Sequence, residues 1–368
     1  MTGRMILANV LHRPIRTMVS VLAVAIEVGM VLLVVGMTKG MLNQAAHRVQ
    51  GVGADVMVQP SGASLFLGIT AAPMPIKIGD LIKDLPHVQS VAPVLLQFNT
   101  GGTGGLNLVY GIDQETFSEV SGGFLYLSGG PLKNPWDILI DNWYARSNHL
   151  KVGYTINILG HDFHVVGIVE HGKGARLFIS MKTAQELAGA ENRASIFFVK
   201  CINPGYTDAV IAEIRKLLPD NKVLSVREYM SMMTSNSLPQ LKDFVTAMIS
   251  VAVAIGLLVI FLSMYTTIME RTRDIGILKS LGASKAYIIK VILQEAGLLC
   301  IAGVILGILG TVIIRDLLNA YYPTVPVQPT IEWYGRAAAL AIVGGVVGAF
   351  YPAMRAAKLD PIDALSYE

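Results

Sequence analysis

The sequence predicts an integral membrane α-helical protein: four transmembrane helices, with a large α+β extracytoplasmic domain inserted between helices 1 and 2. Three observations lead there. Apolar residues make up 53% of the 368-residue chain and charged residues only 15%, against about 25% charged in ordinary soluble domains. The apolar residues gather into four runs, one near the start and three in the last third, each close to the ~20 residues a helix needs to cross a bilayer. Basic residues cluster beside some ends of these runs and avoid others, as the positive-inside bias requires.

The first run extends from Thr17 to Met37 and is interrupted only by Glu27. Arg4, Arg13 and Arg16 precede it like the n-region of a signal peptide. However, its apolar stretch exceeds the roughly 7–15 residues of an h-region, and Met37-Thr38-Lys39-Gly40-Met41 lacks an A-x-A cleavage pattern. A retained anchor is expected. The second run, Phe244 to Met269, carries no charge; the third, Val291 to Ile314, has Glu295 near its start; the fourth is Ala337 to Met354.

Arg271, Arg273, Lys279, Lys285 and Lys290 fill the segment between runs two and three, and Arg355 and Lys358 follow run four. Asn319 to Trp333 contains neither Lys nor Arg. All the basic segments are cytoplasmic only if both termini are inside, in the plasma (inner) membrane. The expected divisions are a cytoplasmic segment 1–16, helix 1 over 17–38, the outer domain with helical stalks over 39–243 and helix 2 over 244–269. A cytoplasmic helix and loop over 270–290, helix 3 over 291–314, a short outer loop 315–336, helix 4 over 337–354 and a cytoplasmic tail 355–368 complete the chain.

The middle region reads as α+β. Ala54 to Val58 alternates like a half-buried strand, and Gly79 to Leu85 reads as a short helix stopped by Pro86. Tyr154 to Leu159 and Asp162 to Val169 read as strands joined at Gly160-His161. Ser195 to Cys201, a helix from Asp208 to Leu218, and Lys222 to Val226 read as a β-α-β unit. Gly101 to Gly105 and Ser121 to Pro131 are read as joints. A mixed sheet with helices on one face, in two lobes, is expected.

Several chemistries are set aside. Gly167-Ile-Val-Glu-His-Gly172-Lys173 has P-loop spacing, but Gly174 stands where Ser or Thr must bind magnesium. Leu127-Ser128-Gly129-Gly130 imitates an ABC signature tetrad. Turn glycine is the better reading of both. His161, His164 and His171 lack metal-ligand spacing, so no metal is expected. No nucleophile–base constellation points to a catalytic residue. The net charge of +3 is scattered, which argues against a nucleic-acid partner. Cys201 and Cys300 read as two buried thiols.

The segment Glu270-Arg271-Thr272-Arg273-Asp274-Ile275-Gly276-Ile277-Leu278-Lys279-Ser280-Leu281-Gly282-Ala283-Ser284 reads as a short amphipathic cytoplasmic helix. Ile275, Leu278 and Leu281 fall on one side with Ile277 beside them, and Arg271, Arg273, Asp274 and Lys279 cover the rest. Gly282 suits a left-handed stop and Ser284 the cap of the next helix. The plainer reading is a juxtamembrane turn touching lipid headgroups. The sharper one is a docking ridge for a cytoplasmic partner, favoured by apolar residues on a surface helix.

This segment resembles the hallmark of MacB/FtsX-type ABC permeases (LolC/LolE/MacB-like, without a fused ATPase), of the form E-R-x-x-[DE]-I-G-[IV]-L-[KR]-[AS]-[LI]-G-A. Tyr351-Pro352-Ala353-Met354-Arg355-Ala356-Ala357-Lys358-Leu359-Asp360-Pro361-Ile362-Asp363-Ala364-Leu365 is similar to the family's closing signature. Leu150 to Ile156 and Val165 to Val169 match its outer-domain style. The resemblance covers nearly the whole chain. It implies a permease subunit, not an enzyme, paired with a second copy or a homologous permease and bound to two copies of a separate cytoplasmic ABC ATPase. An extracytoplasmic adaptor protein is a further partner the resemblance allows.

The resemblance further implies that ATP and magnesium are bound by the partner, with no cofactor in this chain. Spans one and two would continue outward as stalks, matched here by Lys39 to Val49 and Met230 to Asp243. Glu270, Arg271, Arg273, Asp274, Ile275, Gly276, Leu278, Lys279, Leu281 and Gly282 would form the ATPase-coupling element. Export or extraction of an amphiphile (lipoprotein, lipid, peptide, drug or haem) is one implied function. The alternative is an FtsX-like mechanotransmitter that activates an extracytoplasmic hydrolase without transport; an enzyme or receptor with no ATPase is the third.

Glu27 sits mid-span, where a charge costs on the order of 2.5–3.5 kcal/mol on insertion scales. It reads as a substrate contact, an axial ligand if haem is carried, or, more plainly, a carboxyl hydrogen-bonded at a dimer interface. Glu295 reads as an interfacial residue near Lys290. Gly303, Gly307 and Gly310, and Gly344, Gly345 and Gly348, give small faces for close helix packing.

Overall fold

The computed structural model describes residues 14–63, 72–99, 107–232 and 239–360. Arg4, Arg13, the Gly101 to Gly105 joint and the closing Pro361 to Leu365 lie outside the described residues. The chain divides into two compact units, one built from residues up to 40 with 239–319 and 327 onward, the other from 41–238 with 320–326. Helix α1 (Pro14–Gly51) contributes to both. Proline at its first position presets φ and loses no intrahelical hydrogen bond.

The second unit holds β1 (Val56–Gln59), β2 (Met74–Pro75), α2 (Ile78–Lys83), β3 (Val88–Asn99), β4 (Asn107–Ile112), α3 (Gln114–Ser121) and β5 (Tyr126–Gly129). It continues with β6 (Asp137–Asp141), α4 (Asn142–Ser147), β7 (Thr155–Ile158), β8 (His161–Val169), β9 (Leu177–Ser180) and α5 (Met181–Ala188). It ends with β10 (Arg193–Ala194), β11 (Ile196–Cys201), α6 (Thr207–Leu217), β12 (Lys222–Ser225) and α7 (Val226–Met232). Among the described residues ten strands form one mixed sheet in the order β12-β1-β11-β3-β4-β9-β6-β8-β5, with β7 also on β8; β2 and β10 pair separately. β4–β9 and β6–β8 are parallel. Both β11 and β12 run antiparallel to β1, so β11-α6-β12 is a β-α-β unit with β1 inserted between its strands.

Two sequence expectations change here. The domain is one continuous sheet, not two lobes, and helices cover both of its faces. Ile82 of α2 and Val210, Ile211 and Ile214 of α6 pack with Val56, Val58, Phe197 and Val199. Tyr144 of α4 and Ala184 of α5 pack with Val109, Ile138 and Leu177. On the opposite face Phe117 of α3 meets Phe178 at 6.1 Å, and Tyr110 meets Phe178 edge-on at 6.0 Å. Covering both faces explains why β1 and β6 are buried at every position, and why β1 does not behave as a half-exposed alternating strand. The joint at Ser121 to Pro131 also hides a strand. Among the described residues β5 has β8 as its one neighbour in the sheet order, and it exposes three of its four residues, which leaves little apolar pattern to read.

The glycine imitations of nucleotide motifs resolve into packing. The segment after β8 passes through Gly172 and Gly174 directly into strand β9, whereas a P-loop feeds a helix. Gly174 takes φ +90°, and a side chain there would run into the Tyr110 ring. The histidines go to separate partners: His161 stacks on Trp136, His164 bonds Thr155 and His171 stacks on Trp143. Among the described residues no cluster of metal-binding side chains forms. Cys201 and Cys300 are both free and buried.

The first unit comprises α1 with α8 (Pro239–Glu270), α9 (Thr272–Ser280), α10 (Lys285–Tyr321) and α11 (Ile331–Lys358). α1, α8, α10 and α11 are each long and apolar enough to cross a membrane. Their shared core draws Val24, Val28 and Leu32 from α1, Ile260 from α8, Ala296 from α10 and Ala341 from α11. Outward they expose Leu258, Leu262, Ile305, Leu309, Val343 and Val347, the surface expected of helices solvated by lipid. Gly303 and Gly307 bring α10 against α1: an added Cβ at Gly303 would lie 2.5 Å from Val24 Cβ, and one at Gly307 2.7 Å from the Ala25 carbonyl. On α11, Gly345 abuts Cys300 Sγ, and Gly348 leaves 2.8 Å between its would-be Cβ and the Leu257 carbonyl. Nothing lies within 4 Å of that position at Gly310.

Gly303→Ala should therefore separate α1 from α10 and cost about 1–3 kcal/mol, while Gly310→Ala should cost nothing. Thermal unfolding of the detergent-solubilised chain checks this. Equal melting of the two variants would remove the close-packing account.

Candidate functional site

The candidate site is α9 and its flanks. α8 ends at Glu270, and Arg271 leaves helical geometry at φ −108°, ψ 19°, so the chain turns before α9 begins. Leu281 closes α9, and Gly282 follows at φ +94°. Gly282 N donates to the Lys279 carbonyl and Ala283 N to the Leu278 carbonyl, each at 3.0 Å. This pair of reversed bonds is a glycine stop in which the left-handed residue closes the helix. Ser284 Oγ then accepts from Tyr287 N at 3.2 Å and caps α10. Two tight caps thus fix both the length of α9 and its exit.

The coupling residues named from sequence divide into two groups. Ile275 (8% exposed), Gly276 and Thr272 face inward, and Ile275 joins the core of the helical unit. Arg271 also turns in, its Nη1 3.4 Å from both Glu295 carboxylate oxygens on α10. Lys279 Nζ donates to the carbonyls of Ala357 (3.1 Å) and Leu359 at the end of α11, where a cation also complements the helix dipole. Leu278 is half-buried. Glu270, Arg273, Asp274, Leu281 and Gly282 remain exposed, with Leu281 at 80%, and so does Ile277, which the coupling set named from sequence leaves out.

The outward ridge therefore differs from the one expected. Periodicity places Ile275, Leu278 and Leu281 together, but the bundle takes Ile275 for its own core. The stripe left outside is Arg273, Ile277 and Leu281, spaced four apart along one helix face. Beside it, between α9 and α10, a cavity of about 340 Å³ is lined by Ile277, Leu278, Tyr287, Ile288 and Val291, with Arg271 and Glu295 at its side. α9 is accordingly fastened on one side and presents a mixed apolar and charged edge on the other.

Glu27, named as a substrate or dimer contact, is 5% exposed and enclosed by this chain's own helices. Its carboxylate lies against Gly256 of α8, so closely that any side chain at 256 would collide with it. Glu295, expected as an interfacial residue near Lys290, is instead buried at 7% exposure and faces Arg271. A carboxylate just inside an apolar run, 24 residues from an arginine across a turn, was the available signal for that pairing.

Residues 17–217, more than half of the chain, match the family described as MacB-like periplasmic core domain, and residues 246–361 match FtsX-like permease C-terminal. The chain belongs to the MacB/FtsX family of ABC transporter permeases. It is 24% identical over 407 residues to the uncharacterized ABC transporter permease YvrN of Bacillus subtilis, covering 98% of each chain. It is likewise 24% identical over 400 residues to the macrolide export ATP-binding/permease protein MacB of Shewanella sp., covering 99% of this chain and 60% of that one. Several of the curated relatives it matches are thus spanned over only 58–60% of their length. Among solved structures, the periplasmic region of MacB from Actinobacillus actinomycetemcomitans aligns with TM-score 0.40 at 16% identity, over 50% of this chain and 95% of that one.

In this permease α9 falls within the matched C-terminal region, and the Arg271–Glu295 pair sets its angle to the membrane helices. The side chains are 16% and 10% exposed, so removing either partner strands the other in a poorly solvated place. Arg271→Met and Glu295→Met should each cost about 3–5 kcal/mol, and the two together much less than their sum. A thermal-unfolding double-mutant cycle tests this; additive losses would mean the two charges do not act together.

Proposed function

We propose that this permease is the membrane subunit of a complex driven by a separate cytoplasmic ABC ATPase, which docks on the exposed stripe Arg273–Ile277–Leu281 of α9. The observation that carries the reading is the division of α9: Ile275, Arg271 and Lys279 anchor it to the helical unit, while Ile277 and Leu281 stay exposed. An exposed apolar edge on a helix held so firmly is the kind of surface that marks an interaction site. The relative YvrN, matched nearly end to end, is named an ABC transporter permease. The ATP-binding half named in MacB is the kind of partner expected.

ATP and magnesium belong to that partner, bound in two copies beneath a pair of permeases. The basic residues around α9 and after α11 support a cytoplasmic placement of both termini and an outward placement of the α+β domain. Motion of that domain exports or extracts an amphiphile. The driving force is nucleotide binding transmitted through α9, and this chain performs no chemistry of its own.

Affinity purification from native membranes tests the docking. The wild-type chain should bring down a soluble ABC ATPase, and Ile277→Asp or Leu281→Asp should reduce its recovery roughly tenfold or more without changing membrane insertion or melting. Arg271→Glu is a poor probe, because it breaks the internal pair. Recovery of equal ATPase with the Ile277 and Leu281 variants would move the docking surface elsewhere; recovery of none with the stable wild type would favour a scaffold without an ATPase.

A further inference from the structure

The α+β unit contains a three-way junction that neither the family match nor the docking stripe accounts for. Arg176 stands immediately before β9, the strand between β4 and β6 in the middle of the sheet. Its carbonyl accepts from Asp141 N at 2.8 Å, which ties it to the end of β6. Its guanidinium Nη2 donates to Gln44 Oε1 of α1 at 3.0 Å and to the Thr324 carbonyl at 3.1 Å. Thr324 lies in the loop 320–326 that connects α10 to α11 and groups with this unit.

Three features make this a built junction. Arg176 is 6% exposed and Asp141 1% exposed, so the contacts are shielded from solvent. Burial pulls the Arg176 guanidinium down to about 10, with the Asp141 carboxylate opposing the shift, so it stays a cation at neutral pH. The end of α1 is seated as well: Gly51 rests on the Gly172 carbonyl with no room for a side chain. Both bonds leave the one Nη2 nitrogen, whose two hydrogens are fixed in the guanidinium plane, a geometry that a lysine ammonium on a flexible stem does not hold.

We propose that Arg176 is a positioning residue, the clamp that joins the end of α1, the central sheet and the α10–α11 loop into one body, so that displacement of α1 is delivered to the whole α+β domain. The source of that displacement rests on the ATPase-driven reading above; the clamp itself does not.

Spin labels on the full-length chain in lipid, with its co-purified ATPase, test it. Cysteines replace Met41, Tyr322, Leu217 and Leu81, all at least 39% exposed, in a Cys201→Ala, Cys300→Ala background. In the otherwise wild-type chain the Met41–Leu217 and Tyr322–Leu217 distance distributions should be narrow and the same with and without ATP. Arg176→Lys should broaden both roughly twofold and make them respond to ATP. Gln44→Ala should broaden only the Met41 pair. The Leu81–Leu217 pair, within the domain, should not change in any variant, whereas general loosening of the fold would move it. Unchanged widths in Arg176→Lys would overturn the clamp. If no ATPase co-purifies, the nucleotide-free widths still decide the clamp, and only the driven-permease reading fails.

Discussion

Helices surrounded by lipid gain little from burying apolar side chains against one another, because the tails they leave are equally apolar. Their association depends on close backbone approach and on polar contacts, and the helical unit is organised by that constraint. Gly303 and Gly307 admit α1, Gly345 admits Cys300, and Gly348 admits the backbone of α8. Ser20 and Ser263 then meet at 2.5 Å between α1 and α8, and Arg355 donates to the Tyr265 hydroxyl at 2.8 Å between α11 and α8. Every other feature of the unit is hung on this frame, including the seat for α9.

Charged groups near the membrane boundary follow a similar economy. Of the basic residues in and beside α9, Arg271 is matched to Glu295 and Lys279 to the carbonyl end of α11. These contacts decide orientation, since each fixes one end of a nine-residue helix that is too short to hold its own shape. A helix pinned at both ends rotates and tilts only with the helices that pin it. Rigid transmission from a docked partner needs that property, and a loosely attached juxtamembrane helix lacks it.

How much of this was legible in the sequence depends on what periodicity encodes. Composition and hydropathy are local properties, so the four apolar helices and the intervening α+β domain could be read directly. The stop at Gly282 and the cap at Ser284 are equally local and hold in the structure. Periodicity also identifies an apolar face on α9, but it does not say what covers that face, and Ile275 was assigned to a partner when its own bundle buries it. The same gap hid the second covered face of the sheet, where β1 and β6 lack a solvent side. Contacts across 24 residues at Glu295, and across 132 and 148 residues at Arg176, carry no periodic trace. Only the three-dimensional path of the chain brings those groups together.

The surface that α9 leaves exposed constrains the kind of recognition it supports. With Arg271 and Lys279 turned inward, the charges α9 leaves outside are the mixed set Glu270, Arg273 and Asp274, while Lys285, Lys290 and Arg355 are exposed on the neighbouring helices. Long-range steering requires an excess of one sign, which the charges of α9 alone do not supply. Its selectivity lies instead in shape at contact: the Ile277 and Leu281 side chains project beside a recess bordered by Tyr287. Such a surface suits a complex that stays assembled through many cycles, because apolar burial governs how slowly partners part more than how fast they meet. The Arg271–Glu295 ion pair and the mixed charge of the outer edge are thus two consequences of the same placement of charged residues: the charges that hold α9 to the bundle are turned away from the surface it exposes.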